Sequence, residues 1–168
     1  MNCRITAANH EVGLKGEALF REHGKQVAAL CWRARPVLEV QLITSLNSKR
    51  WILPKGWPEA DLTAAESAAR EAFEEAGVVG KVSAKPIGTY HYLKEKKDGS
   101  GLPCSVEVFA LSVTKQLHEW PEKGARTLAW VPLDQAIKQI GELGLRPVLK
   151  EFRKAHNARR AAPVKRRA

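Results

Sequence analysis

Residues 54–78 read PKGWPEADLTAAESAAREAFEEAGV, a stretch dense in chain breakers that runs into an Ala/Glu-rich segment and stops at a glycine. Pro54, Gly56 and Pro58 disfavour regular structure, so Pro54–Asp61 is expected to be a loop. Thr63 and Glu66 form a T-x-x-E capping box, which satisfies free backbone N–H groups at a helix start. Ala64–Ala76 is then the predicted helix, since Ala and Glu are good helix formers. Gly77 suits the left-handed position that closes it. Leu62, Ala65, Ala69, Ala72, Phe73 and Ala76 make an apolar stripe at helical spacing, and its small members let the helix lie close on its support.

The other face of that helix carries chemistry. Glu71, Glu74 and Glu75 stand at i, i+3 and i+4, so their carboxylates project together. Three crowded anions repel one another unless a cation lies among them, and hard oxygen donors suit Mg²⁺ or Mn²⁺. An ordinary solvated acidic helix face is the simpler reading of a charged triplet. It leaves Arg70, Gly77, the capping box and the preceding loop to coincidence.

Working outward, Gln26–Ala34 and Val37–Ser45 are apolar and β-branched on either side of Pro36 and read as neighbouring strands. Arg50–Leu53 is a short strand stopped by Pro54. Lys81–Tyr92 and Cys104–Lys115 read as longer strands joined through Lys94–Pro103, where Asp98-Gly99 is a hairpin signal. Arg126–Val131 adds a strand, and Leu133–Ile140 and Pro147–His156 are helical. Strands interspersed with helices and hairpins predict an α/β or α+β fold with a mixed sheet. At 168 residues the chain has room for one domain. It divides into a loosely ordered lead-in (1–25), a domain (26–152) and a basic tail (153–168).

The segment resembles the signature box of the Nudix hydrolase family, G-x5-E-x7-R-E-U-x-E-E-x-G-U with U a bulky aliphatic. Gly56, Arg70, Glu71, Glu74, Glu75, Gly77 and Val78 match it, and Ala72 fills the first U as a small residue. The Glu expected six residues after Gly56 is Leu62. Glu66, Glu59 or Asp61 are the carboxylates available to serve Arg70 in its place. Gln26–Phe152 reads like a whole domain of this family. The lead-in RWILPKGWP (50–58), and Leu117–Pro121 followed by Trp130, look like the branch of diphosphoinositol polyphosphate phosphohydrolases and dinucleoside polyphosphate hydrolases.

The resemblance implies an α/β/α sandwich with a mixed β-sheet core and a Mg²⁺-dependent, or Mn²⁺-dependent, hydrolase of pyrophosphate bonds. Its substrate is a nucleoside diphosphate linked to another moiety, or a related polyphosphate. Glu71, Glu74 and Glu75 are the implied metal ligands, with the Lys55 carbonyl as a further one. Glu71 or Glu74 activates the water, and Arg70 holds the glutamates in place. Lys49, Arg50, Lys55, Gly56, Trp57 and Lys94 are the candidate substrate contacts, Trp57 either covering the site or pinning its loop. Two alternatives stay open: a nucleotide-sensing module without hydrolysis, and an RNA 5′-end pyrophosphohydrolase.

Net charge is +10, and seven basic residues without an acid lie between Arg153 and Ala168, leaving +3 for the rest. The tail reads as a solvated terminus, with nucleic-acid contact as its second use. Cys3, Cys31 and Cys104 show no metal spacing and read as reduced thiols. With no apolar leader and no membrane-length apolar run, the expected place is the cytoplasm. His91, between two tyrosines, reads as a partly buried strand residue. The sequence gives no oligomeric state.

Overall fold

The computed structural model describes residues 23–161. Among these described residues are eight strands and three helices: β1 (Gly24–Ala34), β2 (Leu38–Thr44), β3 (Trp51–Ile52), β4 (Lys55–Gly56), α1 (Ala64–Ala76), β5 (Val78–Val82), β6 (Gly88–Glu95), β7 (Gly101–Gln116), β8 (Leu128–Pro132), α2 (Leu133–Gln139) and α3 (Leu145–Ala161). The sheet runs β3-β2-β1-β7-β5, with β4 also on β1, β6 on β7 and β8 on β2. β1 and β7 pair in parallel from Gly24↔Cys104 to Trp32↔Ser112; every other pairing is antiparallel. The mixed sheet is the expected one.

Central strand β1 explains the layering. Val27 to Cys31 are all buried, because both faces of the strand are covered. Val27, Ala29 and Cys31 meet the small face of α1 through Ala65, Ala68, Ala72 and Ala76. Ala28 and Leu30 point the other way, into Leu133, Ile137, Val148 and Leu149 of α2 and α3. The result is helix, sheet, helix. Alanine at four α1 positions brings the helix backbone close to the sheet, so its acidic face is held rigidly over the edge of β4.

Helix α1 forms as its sequence dictates. Thr63 Oγ1 accepts from the Glu66 N–H and the Thr63 N–H donates to the Glu66 carboxylate, closing the capping box. Such a cap is worth about 0.5–2 kcal/mol. Gly77 takes φ +64°, and a Cβ there would also overlap the Trp120 ring.

Four sequence expectations need correction. Lys55–Gly56 is not loop but strand, pairing with Val27 and Ala28. Lys81–Tyr92 is two strands, interrupted at 83–87, where Ser83 Oγ caps the Lys85 carbonyl and Pro86 cannot donate to a ladder. The last helix, expected over Pro147–His156, starts at Leu145 and continues to Ala161, so it takes in Arg159 and Arg160 of the basic tail; Arg153 within it pairs with Asp134. β1 begins at Gly24, inside the expected lead-in; the remaining lead-in, 1–22, and residues 162–168 lie outside the described residues. Cys31 and Cys104 are buried as expected, and burial pushes the Cys31 thiol far above its usual range. Among the described residues no helix is long and apolar enough to cross a membrane.

Candidate functional site

Strand β4 and helix α1 bring Gly56 and the three glutamates together. A Cβ on Gly56 would overlap the Glu71 carboxylate, so glycine is required by close approach rather than by a turn. The atom in the way is the end of a flexible side chain. Gly56→Ala is therefore expected to keep the melting temperature within a few degrees while shifting the Glu71 carboxylate and lowering any hydrolysis at least about tenfold. Thermal melting and turnover of the same preparation check both halves.

Each carboxylate has a different environment. Glu71 accepts no hydrogen bond among the described residues. Burial, then Glu75, Glu74 and Glu122, push its pKa from 4.5 to about 7. Glu75 is buried; one oxygen takes the Arg126 guanidinium and the other the Lys55 N–H at 3.0 Å. Burial pushes Glu75 upward too, while Arg126 pulls it back. Glu74 is held by Arg70 at 2.8 Å. The same Arg70 Nε lies 3.0 Å from Glu59, so Glu59 stands in for the carboxylate that Leu62 lacks. Glu66 does not serve Arg70, because the capping box occupies it.

Four carboxylates, Glu71, Glu74, Glu75 and Glu122, thus surround two guanidiniums, those of Arg70 and Arg126. In charge and donor type this fits a hard divalent cation. Among the described residues no three His, Cys, Asp or Glu side chains converge as a metal cage, since Arg126 and Arg70 hold Glu75 and Glu74.

Beside the cluster lies a cleft of about 300 Å³, lined by Arg50, Lys55, Glu75, Lys94, Arg126 and Glu142 among others. Its floor is a polar network. Lys55 Nζ sits 3.2 Å from Glu142 and donates to the Tyr92 hydroxyl at 3.1 Å. The Tyr90 hydroxyl donates to Glu142 at 2.5 Å, and the Tyr92 hydroxyl to Gln26 at 2.6 Å. Burial alone would lower the Lys55 pKa; Glu142 and Tyr92 outweigh it and keep the ammonium charged.

Of the expected substrate contacts, Arg50, Lys55 and Lys94 line the cleft. Lys49 does not: it is exposed at φ 54° in the preceding turn. Trp57 packs against Gly24 with the Lys94 ammonium 4.8 Å above its ring, which pins the loop rather than covering the carboxylates. His91 is exposed, because β6 turns alternate residues outward and Tyr90 inward.

The sequence matches the NUDIX domain family over residues 18–152. The chain belongs to the Nudix family. It is 35% identical over 118 residues to Nudix hydrolase 12, mitochondrial, of Arabidopsis thaliana, covering 68% of this chain and 58% of that one. It is 33% identical over 119 residues to the Mus musculus diphosphoinositol polyphosphate phosphohydrolase 3-alpha, covering 69% and 68%. The chain spans between 54% and 65% of the length of Arabidopsis Nudix hydrolases 12, 13, 16 and 4. The Caenorhabditis elegans Ap4A hydrolase shares the fold at a TM-score of 0.58 and 18% identity, covering 79% of this chain and 98% of its own. α1 is therefore the Nudix helix, and the sandwich expected from the resemblance is the one observed. Sequence reasoning missed Arg126, Glu122 and Glu142 of this Nudix domain.

Proposed function

We propose that the chain hydrolyses a pyrophosphate bond, in a nucleoside diphosphate linked to another moiety or in a related polyphosphate, with Mg²⁺ or Mn²⁺. Dinucleoside and inositol polyphosphates are the favoured substrates, by likeness to the relatives named above. The observation that carries the reading is the juxtaposition of four carboxylates on and around the Nudix helix with a cleft lined by Arg50, Lys55 and Lys94. One side offers oxygen donors and the other attracts phosphate.

Glu71, Glu74 and Glu75 would hold the cation, with the Lys55 carbonyl as a further donor. When bound, that ion neutralises phosphate oxygens and eases charge onto the leaving phosphate. The chain's own groups do the rest. Water attacks one phosphorus, the bridging P–O bond breaks, and the other phosphate leaves with the electron pair. The water proton passes to a carboxylate. Glu71 is the better placed of the two, because Arg70 occupies Glu74 and no guanidinium occupies Glu71. Arg70 orients Glu74, and Arg126 orients Glu75. Arg50 and Lys94 draw the polyphosphate in. Lys55 is tied to Glu142, so its side chain shapes the cleft floor.

Intact glutamates favour hydrolysis over a purely sensing module, and Glu59 compensates for Leu62. A screen of nucleotide and inositol pyrophosphates with Mg²⁺ or Mn²⁺, with products read by mass, tests the proposal. Metal-dependent cleavage of at least one is expected; cleavage of none, with binding retained, would favour the sensor. Removing residues 158–168 should leave turnover on small substrates within about twofold, since Ala158–Ala161, the last turn of α3, is exposed and away from the cleft. Turnover of the truncated chain checks it.

A further inference from the structure

A second cavity lies on the opposite side of the sheet from the Nudix helix, where α3 crosses the far ends of β1, β5 and β7. It measures about 690 Å³, within the ~300–1,000 Å³ of small-molecule sites. Its wall is aromatic. The His156 ring lies 5.2 Å from Trp32 and 6.2 Å from Phe152, and the Trp32 and Phe152 centroids are 5.9 Å apart. Its rim is basic. Lys81, Arg159 and Arg160 line it and make no ion pair among the described residues, while the one acid, Glu151, is paired with Lys154 at 2.6 Å. His156 Nε2 is shielded from water and has no hydrogen-bond partner among the described residues.

None of these residues takes part in the carboxylate cluster or the cleft. We propose that this cavity is a separate binding site for a nucleoside monophosphate, its base against Trp32, Phe152 and His156 and its phosphate at Arg159, Arg160 and Lys81. A flat ring matches the aromatic wall. Three cations match a doubly charged phosphate better than a single carboxylate, and arginine pairs suit its oxygens. The chain's own C-terminal residues are poorer occupants. Residues 162–168 carry Lys165, Arg166 and Arg167, which the basic rim repels.

Equilibrium binding of adenosine 5′-monophosphate to the full chain in EDTA tests the site, with adenosine and inorganic phosphate as separate probes. The expected result is saturable, sub-millimolar binding of the nucleotide and at least about tenfold weaker binding of either part alone. The double change Arg159→Glu with Arg160→Glu, and separately Ala155→Trp, which fills the cavity from an exposed helix position, should each weaken it at least about tenfold. Arg50→Glu, in the cleft, should leave it unchanged. Absence of saturable binding would overturn the proposal. So would binding lost in Arg50→Glu and kept in the other two, which would assign it to the cleft. Binding seen only after residues 1–22 are removed would also overturn it, by showing that the chain covers the cavity itself.

Discussion

Glu71→Gln is expected to cut hydrolysis at least about tenfold and, in EDTA at pH 7.5, to raise the melting temperature. Both effects come from one cause. Glu71 sits without a hydrogen-bond partner among three other carboxylates, and its pKa in the folded chain is about 7 against an ordinary 4.5. A carboxyl with a raised folded pKa binds more protons folded than unfolded, so stability falls as pH rises between the two values. The metal-free protein should therefore melt highest near pH 4.5–5 and lose stability towards pH 7.5. Mg²⁺ should restore more at pH 7.5 than at pH 5. The Gln variant removes the repulsion, so its melting temperature should change less over the same range. A melting temperature of the wild type in EDTA that is flat from pH 5 to 7.5 would contradict the strained-cluster account.

Arg126→Met is the second large effect. Its guanidinium side chain is 7% exposed and contacts Glu75, Glu122 at 2.9 Å and the Thr44 carbonyl at 3.2 Å. Removing it leaves Glu75 buried and unpaired. Breaking one side of a buried ion pair costs about 3–5 kcal/mol. At about 2–4 °C per kcal/mol for a domain of this size, the melting temperature should fall on the order of 10 °C at pH 8. The loss should shrink near pH 5, where the unpaired Glu75 can take up a proton and become neutral. Arg126→Lys keeps the charge but loses the fork that reaches three acceptors, so it should recover only part. A drop of under about 2 °C for Arg126→Met at pH 8 would show that the pair does not hold the loop before β8 against the Nudix helix.

The two predictions also mark what the sequence discloses. Helix α1 is legible because everything that makes it is local: the Thr63–Glu66 box spans four residues, and the Glu71–Glu75 triplet is one turn. Its packing follows from alanine spacing. The cleft floor is not legible, because its partners meet over long separations: 66 residues for Tyr92 with Gln26, 52 for Tyr90 with Glu142 and 51 for Arg126 with Glu75. No spacing rule links residues that far apart. Glu142 follows Gly141 in what reads as a helix-to-helix turn, and only the sheet brings it under Lys55. Lys55 looked free for phosphate because its neutralising partner lay 87 residues away. The β4 pairing was hidden by Pro54 and Pro58, since two residues between breakers look like loop until a neighbouring strand is known. The last helix was read short because its final turn, Ala158–Ala161, carries charge and no apolar stripe; once the first turns are packed, it needs none.

The central claim is hydrolysis of a pyrophosphate bond by the carboxylate face of α1. Its most direct test is the reaction of the full chain with a dinucleoside polyphosphate and with an inositol pyrophosphate, in ¹⁸O-labelled water with Mg²⁺, reading both fragments by mass. The account predicts cleavage of at least one substrate, a single ¹⁸O atom in one of the two fragments, and loss of the reaction in EDTA and in Glu71→Gln. Intact substrates throughout, or labelled fragments that persist at full rate in EDTA or in Glu71→Gln, would contradict it.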